Sequence, residues 1–153
     1  MKHKMQLPLP LALLIENCRS SGEADAVIAA CIRSKDFSSI MERTAEPTMA
    51  FVERVQLAEE LHIDLEQALR SGYEFGFLHL NGLKKLLRFR FSLQAERDYS
   101  SVDDGVLGFE LNEAAAIELQ ALIHRQWQLV QDGEADESGS RLFSIYLKRE
   151  QHD

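Results

Sequence analysis

Residues 73–93, YEFGFLHLNGLKKLLRFRFSL, decide the fold that the sequence predicts. Asn81-Gly82 separates two apolar runs, and this dipeptide is a strong short-range signal for a β-hairpin because both residues tolerate a positive φ. After it, apolar residues alternate with polar ones, at Leu87, Phe89, Phe91 and Leu93 against Arg88, Arg90, Ser92 and Gln94. The alternation predicts a strand with one buried face. Lys84-Lys85 interrupts it, which predicts a bulge or a different register near the turn.

Two more strands and a long helix are predicted after this hairpin. Asp-Asp-Gly at 103–105 is typical of a turn, and residues 106–111 alternate as a third strand. The buried face of this strand is predicted to hold Leu107, Phe109 and Leu111. Asn112 suits a helix cap, and the helical spacing of apolar residues predicts one helix over 113–131. Its apolar face comprises Ala115, Leu119, Leu122, Ile123, Trp127 and Val130. Residues 141–149 are predicted to form the last strand.

The sequence before Gly72 predicts short helices. Apolar residues recur at helical spacing in 9–20 and 23–33. Pro47 suits the first turn of a third helix, because its missing amide is not needed there. Asp64 suits the cap of a fourth helix, with Gly72 just past its end.

The predicted fold class is therefore α+β. A helical N-terminal half precedes a mostly antiparallel sheet, in the order ββ-β-α-β, that the long C-terminal helix covers. The length suits a single domain over residues 1–153, with a helical part at 1–71 and a sheet-plus-helix part at 72–153.

The net charge of the chain favours some classes of binding partner over others. The chain of 153 residues has a net charge of -8 and a pI of about 5.1. An acidic chain is repelled by phosphate backbones and anionic lipid unless it concentrates positive charge locally. We therefore expect a protein partner or a homodimer, with nucleic acid disfavoured and no membrane association.

The N-terminus and the cysteines favour a cytoplasmic protein. Basic residues at 2–4 precede an apolar run at 7–15, as in a signal peptide, but two prolines interrupt the run and Glu16 follows at once. No run approaches the ~18 apolar residues that a membrane span needs. Cys18 and Cys31 form no C-x-x-C motif, so they are predicted to be reduced, buried thiols, with a Cys18–Cys31 disulfide as the alternative.

Motifs for catalysis or metal binding are weak. Glu59-x-x-His62 is half of a di-iron carboxylate site, but no second copy exists in the sequence. No G-x-S-x-G, P-loop or dinucleotide-binding glycine motif occurs. Asp103, Asp104 and Glu110 could act in acid–base chemistry, although turn formation explains the aspartates more simply. We predict no catalytic residue, metal ligand or cofactor.

Residues 57–70, LAEELHIDLEQALR, weakly resemble a helix-turn-helix. Their apolar residues fit the pattern at Leu57, Ala58, Leu61 and Ile63. His62, however, replaces the usual turn glycine, and Asp64 and Glu66 would face phosphates from the second helix. A DNA-binding regulator is therefore kept only as an alternative.

The most unusual local feature is a basic stretch in an acidic chain. It comprises Lys84, Lys85, Arg88, Arg90 and Arg97, with Glu96 as the only acidic residue among them. On the predicted strand, Arg88 and Arg90 project from the same face, where they would contact an anion or an acidic protein. The alternative is cross-strand pairing with neighbours such as Glu74 or Glu110.

The aromatic residues are predicted to build the core, and some of them to line a groove beside the arginines. The set is Tyr73, Phe75, Phe77, Phe89, Phe91 and Phe109. Together with the basic stretch, Tyr73 and Phe75 are the predicted binding residues. The first functional hypothesis is a non-catalytic protein-binding or regulatory module (a regulator, inhibitor or adaptor) that acts through this sheet face.

An enzyme or small-ligand binder with a dispersed site is the second functional hypothesis. Its candidate residues are Cys18, His62, His79, His124 and the Asp103–Asp104 pair. It requires the fold to bring at least two of them into one pocket.

Overall fold

A computed structural model describes residues 5–133 and 139–148. Within these residues the architecture is mixed α+β, with six helices, a four-stranded antiparallel sheet and a two-stranded parallel pair. The first elements are β1 (Met5–Leu7), α1 (Leu9–Arg19), α2 (Asp25–Ser34), a 3-10 turn (Met41–Arg43), α3 (Phe51–Glu60) and α4 (Leu65–Ser71). They are followed by β2 (Tyr73–Phe75), α5 (Leu80–Phe91), β3 (Ser100–Val102), β4 (Gly105–Asn112), α6 (Glu113–Ile123), β5 (Trp127–Gln131) and β6 (Ser140–Leu147).

Helix α1 is the centre of the helical half. Every residue from Leu11 to Cys18 is buried, so the helix is enclosed on all sides. It packs against α2, α3 and α5 and against strand β2. Two of its buried residues, Glu16 and Asn17, are polar, and both have partners that bear on the site described below.

The N-terminal half contains the four predicted helices, together with strand β1, which was not predicted. The Asp64 carboxylate accepts a hydrogen bond from the Gln67 amide at 3.1 Å and caps α4, and Gly72 follows the helix end. Helix α3 begins at Phe51, after Pro47 rather than at it.

The predicted hairpin at Asn81-Gly82 is wrong, because residues 80–91 form helix α5. Leu83, Leu86 and Leu87 are fully buried along one side of it, at the spacing that brings side chains onto one helix face. His79 caps the helix, since its Nδ1 accepts a hydrogen bond from the Gly82 amide at 2.9 Å.

Gly82 serves close packing rather than a turn. A Cβ at this position would lie 2.8 Å from Leu9 Cδ1 and 3.0 Å from Leu78 Cδ1, so the glycine lets α5 approach the start of α1. The preceding aromatic segment contributes only the short strand β2, which pairs in parallel with β1. No bulge is needed to accommodate Lys84-Lys85, because both lie within a helix.

The long C-terminal helix is also wrong, although its start is confirmed. The Asn112 side chain accepts a hydrogen bond from the Ala115 amide at 2.8 Å, and α6 begins there as predicted. The helix ends at Ile123, and Trp127–Gln131 forms β5, which pairs with β6. The Trp127 indole donates to the Leu78 carbonyl at 2.8 Å, which ties this strand to the segment before α5.

The larger sheet has the strand order β3-β4-β6-β5, with all pairs antiparallel. Strands β4 and β6 lie at its centre. Strand β6 corresponds to the last strand predicted from the sequence, at 141–149, of which Arg149 lies outside the described residues. A register shift between Val106 and Phe109, with Gly108 at a φ of +75°, changes which residues face the core. As a result Val106 is buried with Phe109 and Leu111, whereas Leu107 is only half-buried.

Candidate functional site

A basic cavity lies beside α5. Lys84, Lys85 and Arg88 share one side of the helix, because residues three and four apart are neighbours on its surface. They line a cavity of about 360 Å³. The other lining residues belong to the segment after the helix: Leu93, Gln94, Ala95 and Tyr99. None of the described residues that line this cavity is acidic.

The loop of residues 92–99 forms the other side of the cavity, facing α5. Hydrogen bonds to Asp98 stabilise the conformation of this loop. The Asp98 carboxylate accepts hydrogen bonds from the Gln94 amide at 2.7 Å and from Arg97 Nε at 3.0 Å. The Asp98 amide returns a hydrogen bond to the Gln94 carbonyl at 2.9 Å. The hydrogen bonds from Arg97 and from the Gln94 amide lower the pKa of the Asp98 carboxyl. Arg97 is therefore paired at the loop and does not line the cavity.

The Arg88 guanidinium contacts an aromatic ring of its own helix, and an acidic side chain neutralises its charge only in part. The guanidinium lies 5.0 Å from the centre of the Phe89 ring, within the range of a cation–π contact. Its Nη2 lies 3.4 Å from Glu46 Oε1, and Lys85 Nζ lies 3.5 Å from the same oxygen. Both distances are long for hydrogen-bonded ion pairs. Lys84 forms no ion pair with the part of the chain that the structure describes.

Glu46 is positioned through its backbone. The side chain of Asn17, which is fully buried in α1, accepts a hydrogen bond from the Glu46 amide at 2.8 Å and donates one to the Glu46 carbonyl at 2.9 Å. These two bonds place the Glu46 carboxylate beside the cavity. The role of Asn17, next to Cys18 in α1, is thus structural.

Arg90 lies on the opposite side of α5, in a buried polar network. Its Nη1 lies 2.8 Å from Glu16 Oε2, and the Glu16 side chain is 1% exposed. The Tyr73 hydroxyl donates to the same carboxylate oxygen, and Arg90 Nη2 lies 3.6 Å from Glu118 Oε2. The pKa of Tyr73 is raised well above its usual value, mainly because the side chain is buried and next because the Glu16 carboxylate is negatively charged. This network links α1, β2, α5 and α6.

The predicted binding residues therefore separate into groups. Lys84, Lys85 and Arg88 come together at the cavity, whereas the remaining members lie apart from it: Arg90, Arg97, Tyr73 and Phe75. Tyr73 and Phe75 are 2% and 1% exposed and belong to the core. The placement of Arg88 and Arg90 on one strand face is wrong, because residues two apart on a helix point about 200° apart.

Cross-strand pairing of the arginines with Glu74 or Glu110 does not occur in the described structure. Glu74 is buried and contacts the His124 imidazole and Arg125, whose Nη1 lies 3.7 Å from Glu74 Oε1. Glu110 is exposed on β4, opposite Leu142.

The residues of the dispersed-site hypothesis lie in separate places. Cys18 is buried in α1, His62 lies in the turn between α3 and α4, and His79 caps α5. His124 contacts Glu74, and Asp103–Asp104 form the turn between β3 and β4. Cys18 and Cys31 are both free and buried. Burial, and then the nearby Cys31, raise the pKa of the Cys18 thiol to about 12, which opposes formation of the nucleophilic thiolate.

The segment that resembles a helix-turn-helix does contain two helices, α3 and α4, joined by a turn. Glu66 on α4 pairs with Arg33 at 3.0 Å, so an acidic side chain occupies the helix that would enter DNA. Glu59 pairs with Lys35 at 2.8 Å rather than with His62. Over residues 5–133 and 139–148, no three His, Cys, Asp or Glu side chains are grouped to hold a metal ion.

Sequence reasoning missed Tyr99 and the loop after α5, which line the cavity, and Glu46, which lies beside it. Glu46 and Arg88 are far apart in the sequence, and no local pattern indicates that they meet. The spacing of Lys84, Lys85 and Arg88 did carry a signal, because on a helix it places three cations on one side.

Comparison with protein-family models, with curated proteins and with solved structures finds no match to this chain. None of the helices in the described residues has the length and apolar composition needed to cross a membrane.

Proposed function

We propose that this protein is a non-catalytic binding module, such as a regulator, inhibitor or adaptor, that binds an acidic segment of a partner protein at the basic cavity. The observation that carries the proposal is the convergence of Lys84, Lys85 and Arg88 on one cavity in a chain of net charge -8. A cleft lined by one sign of charge concentrates oppositely charged ligands.

The geometry of Arg88 supports binding of carboxylates. Its planar guanidinium lies over the Phe89 ring, and this contact reduces the side-chain entropy that is lost when a carboxylate is bound. Glu46 leaves it incompletely neutralised at 3.4 Å. Leu93 and Ala95 add apolar surface at the loop, where they would contact the aliphatic parts of a bound segment.

The buried, free thiols of Cys18 and Cys31 favour a reducing compartment, and we propose that the protein acts in the cytoplasm.

A matched pair of charge reversals tests the proposal. Arg88→Glu reverses a cavity charge, and Arg70→Glu makes the same change on the exposed side of α4, away from the cavity. Binding of a fluorescein-labelled oligoglutamate peptide is measured by fluorescence anisotropy. We expect Arg88→Glu to weaken binding at least tenfold, or ~1.4 kcal/mol, and Arg70→Glu to change it less than about twofold.

Circular dichroism spectra and thermal unfolding verify that both variants fold. Equal losses in the two variants would show that only net charge matters, and would contradict a specific site. The proposal would also fail if the unaltered protein bound oligoglutamate no better than an uncharged peptide of the same length.

A further inference from the structure

We infer that the preferred anionic group of the cavity is the phosphate of a phosphorylated serine or threonine in the partner's segment. The inference rests on the proposed function and specifies which class of acidic segment is recognised. It follows from the charge of the cavity, from the donors that line it and from the aromatic ring that closes it.

The charge of the cavity suits a dianion. Three cations line it, and one carboxylate, Glu46, pairs with two of them at 3.4 and 3.5 Å, which leaves a net charge of two positive. Glu46 also interacts electrostatically with a further cation, Arg54. Glu96 lies on the same loop but is exposed, where solvent screens its charge. A phosphomonoester carries about -1.5 to -2 charges at pH 7, whereas a carboxylate carries one.

The donors also suit a tetrahedral oxyanion. Lys84 and Lys85 each offer a compact ammonium with three donors, and Arg88 offers a planar fork from the next turn of the helix. Arg88 Nε is buried and has no hydrogen-bond partner among the described residues. The three oxygens of a phosphate can accept from several directions at once, while a planar carboxylate is satisfied by one fork.

The apolar lining indicates that the phosphate is attached to a polypeptide rather than to a nucleotide. Tyr99 is 5% exposed, and its ring packs edge-on against Phe109 with centroids 6.5 Å apart, so it offers no open face for a base to stack on. Leu93, Gln94 and Ala95 instead provide apolar contacts and a side-chain amide for an extended chain. A lipid headgroup is disfavoured because the cations lie in a concavity between α5 and the loop, not on a flat surface.

Three labelled peptides of the same sequence, with serine, glutamate or phosphoserine at the central position, provide the test. Affinities are measured at pH 7 and pH 5 for the unaltered protein, for Lys84→Met and for the control Arg70→Glu. We expect the phosphoserine peptide to bind roughly tenfold more tightly than the glutamate peptide, the gain of about one charge-assisted hydrogen bond. Lys84→Met should remove most of this preference, and Arg70→Glu should retain it.

The pH dependence separates the two anions. The second phosphate pKa is about 6, so the preference for phosphoserine should fall severalfold at pH 5, while the glutamate side chain, with an ordinary pKa of about 4.3, remains mostly ionised. Equal affinity for the phosphoserine and glutamate peptides would overturn the phosphate inference and leave the proposed function standing. Absence of binding by both peptides would overturn both. Tighter binding to phosphatidylserine vesicles than to the phosphopeptide would overturn the polypeptide source.

Discussion

Arg88 and Arg90 lie on the same helix, two residues apart, and have opposite surroundings. Arg90 lies 2.8 Å from the buried carboxylate of Glu16, in a network that joins four elements of the fold. Arg88 lies at a cavity, 3.4 Å from Glu46, and its side chain is 41% exposed. The arginine on one side of α5 thus stabilises the fold, whereas the arginine on the other side, in our proposal, binds a partner.

This difference follows from solvation. A carboxylate taken out of water is stable only if charged or hydrogen-bonding partners replace the lost hydration, which Arg90 and Tyr73 do for Glu16. Arg88 and Lys85 keep much of their hydration, so their attraction to Glu46 is weak and an external anion can compete for them. Substitutions on the two sides should therefore have separable effects on stability and on binding.

At neutral pH the largest expected effect is on stability, from Arg90→Ala. Removing the guanidinium leaves the Glu16 carboxylate buried without its cation, and we expect the free energy of unfolding to fall by about 3 kcal/mol. Arg88→Ala is the matched control and should change it by less than about 1 kcal/mol. Urea unfolding followed by circular dichroism measures both. Similar losses in the two variants would remove the distinction between the two sides of α5.

An alkaline titration tests a second buried group of the helical half, the Cys18 thiol in α1. The pKa of Cys18 is raised from 9.0 to about 12 in the folded protein. Between these values the unfolded chain loses the thiol proton and the folded chain keeps it, so stability falls as the pH rises from 9 to 12.

The expected slope from this group is at most about 1.4 kcal/mol per pH unit. Cys18→Ala should show a shallower decline over this range, measured by urea unfolding at successive pH values. Identical slopes for the two proteins would show that burial of Cys18 does not contribute to the alkaline loss of stability.

The smallest expected effect concerns Glu46, the carboxylate that lies beside the cavity. Glu46→Gln keeps the size of the side chain and the backbone hydrogen bonds to Asn17, but removes the charge that competes for Lys85 and Arg88. We expect affinity for oligoglutamate to rise about threefold, with a change in stability below about 1 kcal/mol. Weaker binding would indicate that Glu46 orients the cations rather than competing with the ligand.

Local signals in the sequence predicted several elements correctly. The caps at Asp64 and Asn112 are confirmed because a cap depends on a side chain and the next few backbone amides. Strands are confirmed at 106–111 and, within the described residues, at 141–147. In β6, however, three consecutive residues are buried, Phe143, Ser144 and Ile145, so its burial does not alternate. The face assignment in β4 failed at Gly108, where a bulge moves Val106 into the core.

The segment at 80–91 was mispredicted because two periods are superimposed in it. Leu87, Phe89 and Phe91 alternate as in a strand, while Leu83, Leu86 and Leu87 recur as in a helix. Packing against α1 favours the helix, and the glycine of the expected turn provides the close approach that this packing requires.

The candidate site was predictable only in part. Composition alone identified the basic stretch that contains Lys84, Lys85 and Arg88. Arg88 reaches the cavity and Arg90 reaches the buried network because the stretch forms a helix. Their partners, Glu46 and Glu16, come from distant parts of the sequence. The physical reason is that long-range ion pairs leave no periodic pattern in the chain.

Whether the acidic segment binds at the cavity can be measured by titrating ¹⁵N-labelled protein with oligoglutamate, followed by two-dimensional ¹H–¹⁵N NMR. If the cavity is the binding site, the amide signals that shift progressively should belong to residues 84–99 and to Glu46, while those of α2 and α4 stay in place. Shifts concentrated outside these residues, or no shifts at high peptide concentration, would contradict binding at the cavity.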